Sequence, residues 1–320
     1  MSLKIENLSL RIGNRWILRD IDLEAPAGRI FGICGAIGSG KTSLLKAIAG
    51  QLPVSSGRIS IDTRDVTGLG KSRGLDLLTE RHRGPLASIF DTKKHLSDGE
   101  SQRADFEKFI QEAGKVVLLD DPFTKVDHNT QALLLAALRA WMTPETIAIV
   151  ASQSFSLLAS LAAEVLVIGN GYAQQTGSPK DIYEKPDTAI VARLSGETNL
   201  IRARRISSSE ATLPEFQTLD GEYRILSQAT PKSRLGPLNK DSTLAIRPEQ
   251  ITMSMGTSFP EDNLLRAVVT KIEFHGATSL IEFDAGGLQL KARVFKVVGL
   301  DLGVECMLGL PPDRIVVLKD

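Results

Sequence analysis

Cysteine is nearly absent from this 320-residue chain: there are two, Cys34 within an apolar run and Cys306 far away in sequence. That fits a protein without structural disulfides, in a reducing compartment. Net charge is absent as well, since Lys+Arg and Asp+Glu each total 38. Electrostatics therefore gives no reason to expect nucleic acid or another polyanion as partner. Apolar runs stay short, Leu133 to Leu138 being among the longest, so any membrane association is expected through a partner. The first ten residues alternate like a strand and lack the apolar core of a signal peptide, which makes the cytoplasm the expected location. No internal repeat and no long low-complexity run is evident.

What is present is concentrated in residues 35–43. Gly35-Ala36-Ile37-Gly38-Ser39-Gly40-Lys41-Thr42-Ser43 fits the pattern G-x-x-x-x-G-K-[ST]. The apolar run Ile30 to Cys34 before it reads as a buried strand, and Leu44, Leu45, Ile48 and Ala49 after it mark one face of a helix. In such a turn the glycines let the backbone approach a polyphosphate, and amide N–H groups and the helix dipole face its oxygens. Lys41 is expected to reach the β- and γ-phosphates of ATP, and Thr42 Oγ to ligate Mg²⁺. A second apolar run, Val116 to Leu119, delivers Asp120 and Asp121 where α/β sheets place their ligands. Asp120 is the expected magnesium-side carboxylate, and Asp121 is placed to polarise an attacking water.

Residues 1–34 read as a mostly antiparallel strand set feeding the phosphate loop, and helix and strand patterns then alternate to about residue 190. From about 196 short strands alternate with Gly, Pro and Asp turns, as in Thr243-Leu244-Ala245-Ile246 and Leu280-Ile281-Glu282-Phe283. The expected organisation is an α/β P-loop NTPase domain over 1–195 and a small all-β domain over 196–320.

Leu96-Ser97-Asp98-Gly99-Glu100-Ser101-Gln102-Arg103 carries a family resemblance. It resembles the Leu-Ser-Gly-Gly-Gln signature of ABC transporter nucleotide-binding subunits, and it aligns without a gap from Leu96 to Asp120-Asp121-Pro122. Thr124-Lys125-Val126-Asp127 stands at that family's D-loop. In the tail, Ile246-Arg247-Pro248-Glu249, Ile272-Glu273-Phe274-His275-Gly276 and Pro311-Pro312-Asp313-Arg314-Ile315 look like the accessory OB/TOBE-type domain of maltose-importer ATPases. The resemblance implies an importer subunit that binds Mg·ATP, pairs with a second ATPase subunit whose ATP is capped by Ser97 and Gly99, and attaches to membrane permease subunits on the cytoplasmic face.

Against that family, the positions that drive hydrolysis are altered. Asp121 replaces a catalytic Glu and is one methylene shorter; displacing a general base costs about 10²–10⁴-fold in rate. Glu80 stands where the family has a Gln that contacts metal and water, and Ser152 stands at the switch histidine, followed by Gln153. Asp98 and Glu100 add charge to the signature; a carboxylate about 4 Å from a γ-phosphate oxygen costs on the order of 4 kcal/mol at an effective dielectric near 20. Ile12 stands where the family stacks an aromatic ring on adenine, and Trp16 lies off register, more readily a core or surface residue. Only residues 81–95 remain of the helical subdomain that grips a permease. Three expectations follow: a weakly hydrolysing importer subunit, a non-catalytic regulatory subunit paired with a more active ATPase, or an active ATPase with Asp121 accommodated by a shifted backbone.

Overall fold

The computed structural model describes residues 1–68, 106, 108–110, 113–123, 127–207, 213–255, 263–296 and 299–319. It divides into two compact units, Met1–Ile182 and Tyr183–Asp320. Glu80, Ser97, Asp98, Gly99, Glu100, residues 81–95 and Thr124-Lys125-Val126 lie outside the described residues.

In the first unit β1 (Ser2–Ile12) and β2 (Arg15–Pro26) form an antiparallel hairpin, and Leu3, Ile5, Leu8 and Leu10 turn one side of β1 into the core. Strand β3 (Ile30–Gly35) is buried at every position and runs through the turn 36–40 into α1 (Lys41–Ile48). Strands β4 (Ser56–Ile61) and β5 (Arg64–Asp65) complete an antiparallel sheet in the order β2-β1-β4-β5. The second sheet uses β6 (Val116–Asp120), β7 (Ile147–Ser152), β8 (Glu164–Gly169) and β9 (Tyr172–Gly177) in the order β6-β7-β3-β8-β9. All its pairings are parallel except β8 with β9. Near-continuous Val, Ile and Leu in β6, β7 and β8 is the composition of strands covered on both faces. Helices α2 (His128–Trp141) and α3 (Phe155–Leu161) connect β6 to β7 and β7 to β8. Because β3 lies between β7 and β8, the C-terminal ends of β3, β7 and β6 come side by side, with Cys34 opposite Ser152 and Asp120 opposite Ala151. That edge is where open α/β sheets hold ligands.

The second unit begins with α4 (Ala189–Ser195), whose Ala192 is buried with Ala245, Val316 and Leu318. The compositional change at 196 therefore comes after a helix that packs with the tail. Arg247, 4% exposed, binds that helix end: its guanidinium donates to Ala192 O, Gly196 O, Ser195 Oγ and Tyr183 O and stacks 4.1 Å from the Tyr183 ring centre. The carbonyls a helix leaves unpaired at its C-terminus are thereby satisfied by a buried cation.

The remainder is a duplicated structure, which the sequence carries only faintly. The first copy is β10 (Asn199–Arg205), β11 (Glu215–Thr218), β12 (Arg224–Leu226), β13 (Asp241–Ile246) and, after a 3-10 turn at Pro248–Gln250, β14 (Thr252–Ser254). The second is β15 (Asn263–Phe274), β16 (Ser279–Ala285), β17 (Leu288–Val294), β18 (Glu305–Leu310) and, after a 3-10 turn at Pro312–Arg314, β19 (Val316–Val317). The sheet orders are β12-β11-β10-β13-β19 and β17-β16-β15-β18-β14, so each copy gives its last strand to the other's sheet. Two asparagines join the sheets at equivalent corners by acting as a peptide group. Asn199 Nδ2 donates to Lys291 O at 2.9 Å while its Oδ1 accepts from Lys291 N at 2.7 Å. Asn263 does the same with Leu226 O and N, at 2.9 and 2.7 Å. The repeat survives in sequence only as Asn199-Leu200-Ile201-Arg202-Ala203 beside Asn263-Leu264-Leu265-Arg266-Ala267, and Leu244 to Glu249 beside Leu308 to Asp313.

Candidate functional site

The turn between β3 and α1 is shaped by its glycines. A Cβ on Gly35 would sit 2.4 Å from Ser39 Oγ and 2.7 Å from Ile168 O, so any other residue would force the loop off β8. Gly40 has φ +105°, and a Cβ there would meet Leu18 Cδ2 at 2.6 Å. Gly40 is also the N-cap of α1, with no side chain capping the helix and no acidic residue in its first turn. The first-turn N–H groups are left for an external acceptor, which is the electrostatic setting of an anion site.

Lys41 is buried at the foot of this turn, and its ammonium donates to Gly35 O at 2.8 Å and Ala36 O at 3.1 Å. Neutral carbonyls can be exchanged for phosphate oxygens, whose charge holds an ammonium more strongly. Ser39 Oγ is buried with no hydrogen-bond partner. An orphaned hydroxyl costs stability where it stands, so its presence fits a ligand that bonds it. Ile37, 87% exposed, projects from the turn. Thr42 Oγ1 donates to Asp120 Oδ2 at 2.7 Å, joining the first turn of α1 to the end of β6. Hydroxyl and carboxylate are hard oxygen donors of the kind Mg²⁺ takes when phosphate and water supply the rest of its shell.

Asp121 follows in the left-handed region, φ +45°. Its N–H donates to Ala151 O at 2.9 Å, and its Oδ1 accepts from Gln153 N at 3.3 Å. The carboxylate is thus drawn onto the end of β7. Ser152 is 1% exposed, and its Oγ accepts from Ser154 N at 3.1 Å, at the turn where Ser154 caps α3. Asp127 is the N-cap of α2, accepting from Asn129 N and Thr130 N, and bonds from Thr130 hold its carboxyl below the usual range. Nothing in the residue types at 121 and 152 foretold these engagements, because the partners are backbone N–H groups of 153 and 154.

Ile12 is half-exposed, and Trp16 is a surface residue, 42% exposed, between Arg11 and Arg19. Cys34 lies beneath the turn, its thiol pushed up to about 11 by burial. Among the described residues no cluster of three or more His, Cys, Asp or Glu could hold a metal ion on its own, and no helix is long and apolar enough to cross a membrane.

A strand, a glycine-rich turn and a helix N-terminus, with a carboxylate from a neighbouring parallel strand bonded to the helix Thr, define a P-loop nucleotide-binding protein with an appended β domain. Residues 18–83 match the family described as ABC transporter, and residues 244–318 match the TOBE domain. The Fe(3+) ions import ATP-binding protein FbpC of Escherichia coli O157:H7 is 25% identical, over 99% of this chain and 97% of that protein. The molybdate/tungstate import ATP-binding protein WtpC of Pyrococcus horikoshii is 26% identical, over 95% and 94%. The sn-glycerol-3-phosphate import ATP-binding protein UgpC of Burkholderia pseudomallei (strain K96243) is 26% identical, over 93% and 92%. Along nearly its whole length the chain is thus similar to ABC-type ATP-binding proteins, with the ABC transporter match in residues 18–83 and the TOBE match in 244–318.

Proposed function

We propose that this chain is the ATP-binding subunit of an ABC-type solute importer, and that it binds Mg·ATP well while hydrolysing it weakly. It works as a dimer with a second ATPase subunit, held to the cytoplasmic face of the membrane by permease subunits. Support for the importer assignment comes from relatives named as import ATP-binding proteins that this chain matches nearly end to end. Residues 35–43 wrap the phosphates, Lys41 leaves the two carbonyls to bond them, and Ser39 Oγ gains the partner it lacks. Mg²⁺ would be held by Thr42 and Asp120 and, when bound, neutralises phosphate charge.

The observation that carries weak hydrolysis is the contrast between the two halves of the site. On the binding side, Ser39 Oγ has no partner, the α1 N-terminus has no side-chain cap, and Lys41 donates to two neutral carbonyls. On the hydrolytic side, Asp121 is turned onto Gln153 N and Ser152 is buried against Ser154 N. Both side chains accept from backbone N–H groups at the end of β7, and Asp121 is one methylene shorter than a Glu acting as general base. The same contrast favours a second reading, a regulatory subunit that binds ATP while a more complete paralogue hydrolyses it.

Equilibrium titration of the purified chain with ATP, with and without Mg²⁺, tests the binding half. Saturable, Mg²⁺-strengthened binding that Lys41→Ala abolishes is expected. Absence of binding to a folded chain would overturn both readings.

A further inference from the structure

Strand β2 carries a charge gradient along its length. Its hairpin end holds Arg15, Trp16 and Arg19, with Arg11 across the turn, whereas its other end holds Asp20, Asp22 and Glu24. Arg11 pairs with Trp16 and Leu10 with Leu18, so one residue, Ile17, is bulged out between them. The bulge brings Trp16 and Arg19 to the same exposed side while Leu18 stays in the core.

The guanidinium carbons of Arg11 and Arg19 lie 5.8 and 5.7 Å from the Trp16 ring centre. Arg19 also lies 5.7 Å from the ring centre of Tyr172 on β9, and its Nη1 donates to the Tyr172 hydroxyl at 2.7 Å. Among the described residues, the bonded side-chain partners of Arg11 and Arg19 are neutral, Asn14 Oδ1 and Tyr172 Oη. Each guanidinium has five N–H donors, so most remain available. Cation–π contact with the rings, and for Arg19 the bond to the Tyr172 hydroxyl, restrain the guanidiniums in advance, which lowers the entropy lost when a carboxylate is gripped by the fork.

We infer that the row Arg11–Trp16–Arg19–Tyr172 is a docking surface for a short acidic segment of a protein partner, whose carboxylates Arg11 and Arg19 take. The rings are already engaged by guanidiniums, so they are not a free platform for stacked bases. Asp20, Asp22 and Glu24 continue along the same strand and repel a phosphodiester backbone running past Arg19. Basic character confined to the hairpin end suits a few Asp or Glu residues and excludes a long polyanion.

The test is titration of the full chain into a fluorescein-labelled Asp-Glu-Asp-Glu-Asp-Glu peptide and, in parallel, a labelled six-residue oligothymidylate. Saturable peptide binding is expected, weakened at least tenfold by Arg11→Gln with Arg19→Gln. It is expected to weaken nearly as much with Arg11→Lys and Arg19→Lys, because lysine keeps the charge but loses the bidentate fork. The oligothymidylate is expected to bind more weakly than the peptide. Undetectable peptide binding, full retention in the lysine pair or tighter oligothymidylate binding would each overturn the inference. Unchanged melting temperature and ATP affinity establish that the variants are folded, and should the glutamine pair unfold, the lysine pair decides.

Discussion

Ser39→Ala separates a residue kept for a ligand from one kept for the fold, because the structure predicts effects of opposite sign. Ser39 Oγ is buried and unpartnered, packed against Gly35 in the turn. Such a hydroxyl costs about 1–3 kcal/mol that the alanine variant does not incur, so the ligand-free protein gains about 1 kcal/mol after allowance for lost packing. For a unit of this size that raises the melting temperature by about 2–4 °C. If the hydroxyl bonds a phosphate oxygen, a charge-assisted bond of about 1.5–3 kcal/mol is lost from ATP binding. Affinity then falls about 10- to 150-fold. Thermal melts with and without Mg·ATP, together with equilibrium titration, read both quantities on one preparation. A lowered melting temperature with unchanged ATP affinity would refute the reasoning and make Ser39 a packing residue.

Two further outcomes follow. Asn263→Ala leaves Leu226 N and O and Leu310 O without their partner at a sheet corner. It should destabilise the tail by about 2–4 kcal/mol, read as an earlier denaturant midpoint for the chain, while ATP affinity stays unchanged. Burial pushes the Cys34 thiol up to about 11 in the fold, from an ordinary value of 9.0. Stability is therefore unaffected by this group below about pH 9 and falls as pH rises toward 11, a loss of roughly 2–3 kcal/mol that Cys34→Ala should remove from the alkaline limb of a stability profile.

The phosphate site was legible because it is local. Residues 30–49 hold strand, turn and helix in one run, and Asp120 ends an apolar strand of its own. The antiparallel start and the β-rich tail were legible for the same reason, since short alternating segments report strands without reference to what they pair with. The tail's duplication was not. It is a property of topology, in which β14 and β19 cross between sheets, and the corner asparagines are two residues among many polar ones. Nor did sequence reveal how Asp121 and Ser152 are engaged, because a carboxylate at φ +45° facing Gln153 N depends on where β6 and β7 end relative to each other. The identities at 121 and 152 raise the question of weak hydrolysis, and the backbone N–H groups that engage both side chains are what the proposal adds to it.

Steady-state ATP turnover by the purified chain with Mg²⁺, beside Asp121→Glu and with Lys41→Ala as the binding-deficient control, decides whether the bound nucleotide is hydrolysed. Slow turnover in a chain that binds ATP, raised at least tenfold by Asp121→Glu, is the result predicted for intact binding residues beside a misdirected base. Fast turnover that Lys41→Ala abolishes and Asp121→Glu leaves unchanged or lowers would contradict it, and would make this a working transport ATPase whose Asp121 reaches the water.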